Sequence, residues 1–215
     1  MRKLLVFGLF INSLFAYDIS EHINVESCSQ VIDKEYYDIC YSYEHLGALA
    51  VGYELNGSLV NKVNIKKRPS FYVEKTIPKK YRTYNKDYTR SGFDRGHSAN
   101  DAAFDYSKDS LKSTYSFANI IPQDGTVNRY YWTKAEKHAR KMAVKYGKVE
   151  VLNLVIYSDN PEKLGNSQIS IPEGYYKIIS NDESNFKQCY YYENKKNPEG
   201  VKDKLNNHLV DCSSL

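Results

Sequence analysis

Two kinds of hydrophobic spacing alternate along the chain. Residues 48–55 and 59–65 are short, partly alternating apolar runs that predict strands, and Asn56-Gly57 between them predicts a two-residue hairpin, because both residues tolerate the positive φ such a turn demands. Pro69 and Pro78 then punctuate a long basic loop. After the turn Gln123-Asp124-Gly125 the spacing changes. Val127, Tyr131, Ala135, Ala139, Met142 and Tyr146 recur every three or four residues, which puts them on one face of a long helix, and Gly147 stands where a C-terminal cap belongs. Residues 149–157 read as a buried strand, 169–171 and 175–179 as shorter ones around Pro172, and the Lys/Asn-rich tail 193–209 as a segment ending in a helix. Strands and helices do not alternate regularly, so the expected class is α+β.

Residues 1–16 are a different material. Arg2 and Lys3 precede an apolar run, and Ala16 then meets the polar Tyr17-Asp18, the pattern of a secretory signal peptide. The run is shorter than the roughly 20 residues a membrane helix needs. The expectation is therefore a signal over 1–16 and one domain over 17–215, its core at about 45–192, in a protein that is periplasmic or extracellular and has no stable membrane association once the signal is removed. Hydrophobic content of 41% and charged content of 26% are ordinary globular values and argue against global disorder. Export into an oxidising compartment favours two disulfides among Cys28, Cys40, Cys189 and Cys212. Nearness in sequence favours Cys28 with Cys40 and Cys189 with Cys212, with a bridge tying the two ends of the chain as the alternative. No CxxC or Cys/His cluster suggests zinc.

Charge is segregated. Residues 17–61 carry a net −7, residues 62–95 a net +8 and residues 129–148 a net +6. Two basic segments thus flank a His-and-Asn constellation, a pattern suited to a polyanion. Tyrosine is abundant at 21 residues, and Phe71, Tyr72, Tyr81, Tyr84 and Tyr88 within the basic stretch fit either base stacking or a core. On the long helix, Asn128, Trp132, Glu136 and Arg140 step by four and form one slanting stripe beside the apolar face. Asn128 offers a neutral oxygen suited to Mg²⁺, which keeps much of its water and shares its shell with substrate phosphates. His97 has the proton affinity of a general base at neutral pH. Gly96 before it allows a turn or close approach to a ligand, and Arg95 offers a planar fork to phosphate.

Asp94-Arg95-Gly96-His97, preceded by Ser91-Gly92-Phe93 and followed by Asn119-Ile120-Ile121-Pro122-Gln123, Val127-Asn128 and Trp132 with Glu136, resembles the DNA/RNA non-specific endonucleases, the DRGH nucleases of the ββα-metal superfamily. The resemblance implies a ββα-metal fold with a central antiparallel or mixed sheet and a long metal-site helix. It implies His97 as general base, Asn128 as the direct Mg²⁺ ligand (Mn²⁺ or another divalent cation being alternatives) and Glu136 as holder of the cation's waters. Arg95 and Arg140 would contact phosphate, Asp94 and Asn119 would support the site, and Arg68 would bind phosphate upstream. The implied activity is hydrolysis of DNA and RNA, gripped by the phosphate backbone, to 5′-phosphate ends. An inactive nucleic-acid-binding module of the same fold is the alternative. A phosphoesterase for small substrates is disfavoured by the basic stretches and by the lack of an Asp/His-rich two-metal cluster. Two positions depart from the family pattern: Asn100 stands where proline is common, and residues 149–157 lack the usual glycine near their end. Neither removes a chemical group.

Overall fold

The structure is a computed structural model and describes residues 17–165 and 167–215, so the signal-peptide expectation lies outside the described residues. Along the chain come strands β1 (Gln30–Asp33), β2 (Asp38–Ser42), β3 (Gly47–Asn56) and β4 (Asp94–His97), helix α1 (Lys108–Ser113), strand β5 (Ile120–Gln123), helix α2 (Trp132–Tyr146), and strands β6 (Lys148–Ile156), β7 (Gly174–Asn181), β8 (Phe186–Glu193) and β9 (Leu209–Val210). Seven of the strands form one sheet in the order β1-β2-β3-β6-β7-β8-β9, antiparallel at every step. The other two, β4 and β5, form a separate antiparallel pair. That pair and α2 make a ββα unit, with α2 packed across β3, β6 and β7. The α+β expectation holds.

Alternation along the strands gives the sheet two buried faces. One presents Val51 and Tyr53, Val151 and Val155, Tyr175 and Ile179, and Tyr190 and Tyr192 to Trp132, Ala135, Ala139 and Met142 of α2, which forms the main core. The other face, with Ala50, Leu152 and Ile178, is covered by the chain ends through Ile19, Ile23, Val25 and Val210. Two disulfides, Cys28–Cys40 and Cys189–Cys212, fasten those covers to β2 and β8, so the sequence-local pairing is the one formed.

Several local expectations are corrected. Residues 59–65 make no strand: neither Asn56 nor Gly57 takes the positive φ that a two-residue hairpin needs, and the N–H groups of Leu59 and Val60 turn back onto the Asn56 carbonyl at 3.0 Å. Gly57 serves a close approach instead of a hairpin. Its N–H donates to the Gly147 carbonyl at 2.7 Å, and a Cβ there would lie 2.3 Å from the Ala143 carbonyl oxygen. Residues 169–171 contribute a single bridge, Ser170 to Lys163, and the tail ends in a short 3₁₀ turn, Leu205–His208, followed by β9. The long helix begins with a π turn, Val127–Tyr131, which breaks the four-residue stripe. Asn128 is thereby offset from Trp132, Glu136 and Arg140, which keep their spacing of four on α2, and the Trp132 ring meets those of Tyr175 and Tyr192 in the core.

Tyrosine excess is mostly core. Buried rings send their hydroxyls to backbone carbonyls of α1 and β5, Tyr37 to Ser113 at 2.7 Å, Tyr88 to Ile120 at 3.1 Å and Tyr175 to Pro122 at 2.8 Å. The last two brace β5.

The Cys189–Cys212 bond closes a separation of 23 residues and pins the cover over β8. Replacing both cysteines by alanine is expected to lower the unfolding free energy by about 3 kcal/mol, read from urea denaturation. An unchanged midpoint would show that the cover is held by packing alone.

Candidate active site

The start of the helix is set by Asp124. Its carboxylate accepts from the N–H groups of Thr126 at 2.7 Å and Val127 at 3.1 Å, and its carbonyl accepts from the Asn128 N–H at 2.8 Å. Asn128 then reaches back to β4, where its Nδ2 donates to Asp94 Oδ2 at 3.0 Å. Arg129, next along, grips the same carboxylate through Nε at 2.8 Å and Nη2 at 2.6 Å. Partial burial pushes the Asp94 carboxyl up, but the Arg129 and Asn128 hydrogen bonds outweigh it and hold its pKa below the ordinary value. An ionised carboxylate only accepts, so it must face the amide NH₂ of Asn128. The Asn128 carbonyl oxygen is thereby turned away, with no hydrogen bond to any described residue.

On β4, Arg95 and His97 share the side opposite Asp94. The His97 ring is walled by Tyr115 and Phe71, with centroids at 4.8 and 5.4 Å. The residue is partly exposed, yet its Nε2 is enclosed and has no hydrogen-bond partner. Burial pushes the imidazole pKa down to about 4, Asp101 pulling it back and Arg68 adding to the fall, so the ring is neutral at physiological pH. The Arg95 guanidinium lies 5.6 Å from the Tyr88 ring and 5.9 Å from that of Phe71. It donates through Nη2 to the Asn85 carbonyl, while its Nε is buried without a partner.

Gly96 sits in mid-strand, paired with Ile121, and not at a turn. A Cβ there would lie 2.4 Å from Gln123 Oε1, so the glycine makes room for that side chain and not for a ligand.

Asn119 is fully buried. Its Oδ1 accepts from the Ala99 N–H at 2.7 Å, and its Nδ2 donates to the carbonyls of Ala99 and Thr114 at 2.9 Å each. It clamps the backbone just after His97 and leaves no donor for a substrate. Arg68 reaches the same loop but is committed, with Nε 3.0 Å from Asp101, Nη2 3.2 Å from Asp105, and Nη1 on the Ile65 carbonyl. Asp101 also accepts from the Tyr115 hydroxyl at 2.9 Å.

Glu136 and Arg140 lie on α2, and the surroundings of Glu136 show that they are more than a surface pair. Burial pushes the Glu136 carboxyl well up, opposed by the charges of Lys177 and Arg140 and assisted by that of Asp101. Asp101 acts on both His97 and Glu136, so the loop after β4 and the helix converge on a common region. Arg140 has an enclosed Nη1 without a partner and lines an open hollow of about 400 Å³ with Lys137 and Lys141. A larger hollow of about 680 Å³ beside β1 and α1 has mixed charge and none of these residues.

Asp101, Arg129, Asn153 and Lys177 escape the sequence reading. Lys177 and Asn153 had a visible signal, each a polar residue at the centre of an apolar run, 175–179 and 149–157. The other two are ordinary charged residues until the fold gathers them.

The sequence pattern of a family described as DNA/RNA non-specific endonuclease matches residues 18–214. Mitochondrial endonuclease G of Homo sapiens is 26% identical over 161 residues, 70% of this chain and 54% of that protein. The mitochondrial nuclease of Saccharomyces cerevisiae is 33% identical over 130 residues, 54% of this chain and 40% of that protein. The chain thus spans about half the length, or less, of these curated relatives. A solved complex of EndoG with EndoGI, described as showing the mechanism of EndoG inhibition, superposes with a TM-score of 0.77 at 24% identity over 86% of this chain and 81% of that one, a likeness of fold. With the family pattern running through nearly all of its length and a ββα unit carrying the DRGH strand, the chain belongs to the DNA/RNA non-specific endonuclease family and has its ββα-metal fold.

Proposed function

We propose that this chain is a divalent-cation-dependent endonuclease that hydrolyses phosphodiester bonds of DNA and RNA without regard to base or sugar and leaves 5′-phosphate ends. The observation that carries the reading is a set of enclosed polar atoms without partners: Arg95 Nε beside His97 on β4, Asn100 Nδ2 in the loop that follows, and Arg140 Nη1 on α2 with Glu136. Each such donor destabilises the fold by about 1–3 kcal/mol unless an acceptor reaches it. A phosphodiester has several acceptor oxygens and matches guanidinium geometry. The basic segments 62–95 and 129–148, with the hollow beside Arg140, extend the same preference to a polyanion.

The donor set fits a hard cation. Among the described residues no group of three or more His, Cys, Asp or Glu could hold a metal ion, which does not suit a zinc-type site built from protein ligands alone. The free carbonyl oxygen of Asn128 suits Mg²⁺ or Mn²⁺, which share their shell among water, phosphate and one or two protein oxygens. Asn128 would hold the cation directly and Glu136 through water. When bound, it supplies Lewis acidity to the phosphoryl oxygens. His97, neutral at physiological pH, accepts the proton of the attacking water. Arg95 and Arg140 orient the phosphate and balance its growing negative charge. Asp94 keeps the Asn128 amide facing the right way, and Asn119 fixes the backbone behind His97.

The reading includes export to the periplasm or beyond, supported by the signal-like residues 1–16 and by the pairing of all four cysteines. N-terminal sequencing of the exported protein is expected to begin near Tyr17; a mature protein retaining Met1 counts against it.

Plasmid DNA and RNA should both be degraded with Mg²⁺ and spared with EDTA. His97→Ala is expected to lower kcat by roughly 10²–10⁴-fold. Degradation surviving both EDTA and the substitution sinks the mechanism; tight binding with no cleavage by the unaltered protein identifies a binding module instead. Asp94→Ala frees the Asn128 amide to rotate, so Mn²⁺ affinity, followed by electron paramagnetic resonance, is expected to fall about 10- to 100-fold. Unaltered affinity would remove Asn128 from the metal site.

A further inference from the structure

The sheet face beneath α2 is apolar at its centre except at two positions. Asn153 of β6 and Lys177 of β7 stand directly opposite each other in the strand register, among Val51, Tyr53, Val151, Val155, Tyr175 and Ile179. Lys177 is 0% exposed. Its Nζ donates to Asn153 Oδ1 at 2.6 Å and sits 4.4 Å from the centre of the Trp132 ring. Asn153 in turn donates through Nδ2 to the carbonyl of Ser98, the residue after His97, at 2.9 Å. A lysine only donates, so this arrangement fixes both ends of the Asn153 amide.

Burial pulls the Lys177 ammonium pKa down to about 7, with Glu136 pulling it back up and Arg140 adding to the fall, so a buried lysine with one neutral acceptor is poor stabilisation. A well-packed apolar residue of similar volume serves a core as well or better. Its partner in charge is Glu136 on the helix above, and Lys177 is the foremost charge holding that carboxyl down against burial. The other charged or titratable groups facing Glu136 are Arg140 and Lys137 on its own helix, Asp101 after β4, Tyr53 on β3 and Tyr192 on β8. One post in the sheet therefore reaches both halves of the site: Lys177 lies against Trp132, one helical turn before Glu136, and through Asn153 it is tied to the segment after His97.

We propose that Lys177 is a positioning residue for the reaction: its buried ammonium holds the Glu136 carboxylate in place from below, and Asn153 carries the same tie to the backbone that follows His97. The proposal rests on the nuclease reading and on Glu136 acting as a carboxylate there. Lys177 touches neither substrate nor cation; it acts through Glu136 and Asn153.

The test compares the full mature protein with Lys177→Met, which removes the charge and the bond, and Lys177→Gln, which keeps a donor for Asn153 without charge. Three quantities are read: kcat and KM against pH on a single-stranded DNA oligonucleotide with Mg²⁺, the melting temperature without metal, and the Glu136 carboxyl titration without metal by carbon NMR. Lys177→Met is expected to melt below the unaltered protein, because Glu136 and the Asn153 oxygen lose a buried partner, so activity is read together with the acid limb. Its kcat at neutral pH is expected to fall roughly 100-fold with KM changed less than about threefold, the pattern of a lost transition-state contribution. Without Lys177 the Glu136 pKa rises further, so the acid limb of kcat is expected to move up by about one pH unit, and the NMR titration with it, in both variants. A folded Lys177→Met with unmoved kcat and acid limb overturns the proposal. So does a loss of activity that only follows a lower melting temperature while the acid limb stays put. If Lys177→Met does not fold, Lys177→Gln decides by the same readings. An inactive unaltered protein would defeat the nuclease reading alone, since the metal-free Glu136 titration still reports whether Lys177 governs that carboxyl.

Discussion

The carboxylate of Asp94 joins the two halves of the site. It lies at the head of β4 and takes hydrogen bonds from Asn128 and Arg129 across a separation of 34 and 35 residues. Charge-assisted bonds of this kind contribute about 1.5–3 kcal/mol when sheltered. Arg129 is 64% exposed, so its share is small and the Asn128 bond matters more for geometry than for stability. What the bond decides is which end of one amide faces outward. Any cation held by the Asn128 amide oxygen would depend on that choice, which follows from the carboxylate having no proton to give.

The surrounding structure keeps Asp94 and Asn128 in register. Strand β5 leads directly into the turn that carries Asn128, and its carbonyls at Ile120 and Pro122 are held by the buried hydroxyls of Tyr88 and Tyr175. Asn194 adds a second donor to Pro122 and accepts from the Asp124 N–H at 2.7 Å. A tyrosine-rich core suits this task, since each ring fills volume while its hydroxyl satisfies a backbone carbonyl that would otherwise be buried unpaired. Asn119 and Asn153, which brace the backbone behind His97, have their bonds completed within the protein. Enclosed donors without partners remain on Arg95, Asn100 and Arg140, and on the hydroxyls of Ser98, Tyr17 and Tyr192. Asn100 is one of the positions where the chain departs from the family pattern, and its enclosed amide adds a donor that proline lacks.

Local signals explain why some features were legible in the sequence. The DRGH tetrapeptide, the Asn-Ile-Ile-Pro-Gln block and the helix spacing sit within 60 residues of one another, and the last apolar position before Gly147 correctly marks where α2 stops. The disulfides formed between near neighbours for the same reason of locality. Asn56-Gly57 misled because the same dipeptide serves a hairpin or a close approach, and only the packing of Gly57 against the end of α2 distinguishes them. The π turn was invisible because one additional residue in a turn leaves the apolar spacing of the rest of the helix unchanged.

By itself the sequence determined the α+β class, the helix with its apolar face, the charge segregation and the roster of DRGH-type side chains, because each is written in short-range order. Only the tertiary structure decided which of those side chains meet. It committed Arg68 to Asp101 and Asp105, retired Asn119 into a brace, turned Gly96 into space for Gln123, and set a buried lysine from a distant strand against Trp132, one turn before Glu136. Those outcomes depend on strand order and on which polar groups lose water together, and neither quantity is carried by any one stretch of chain.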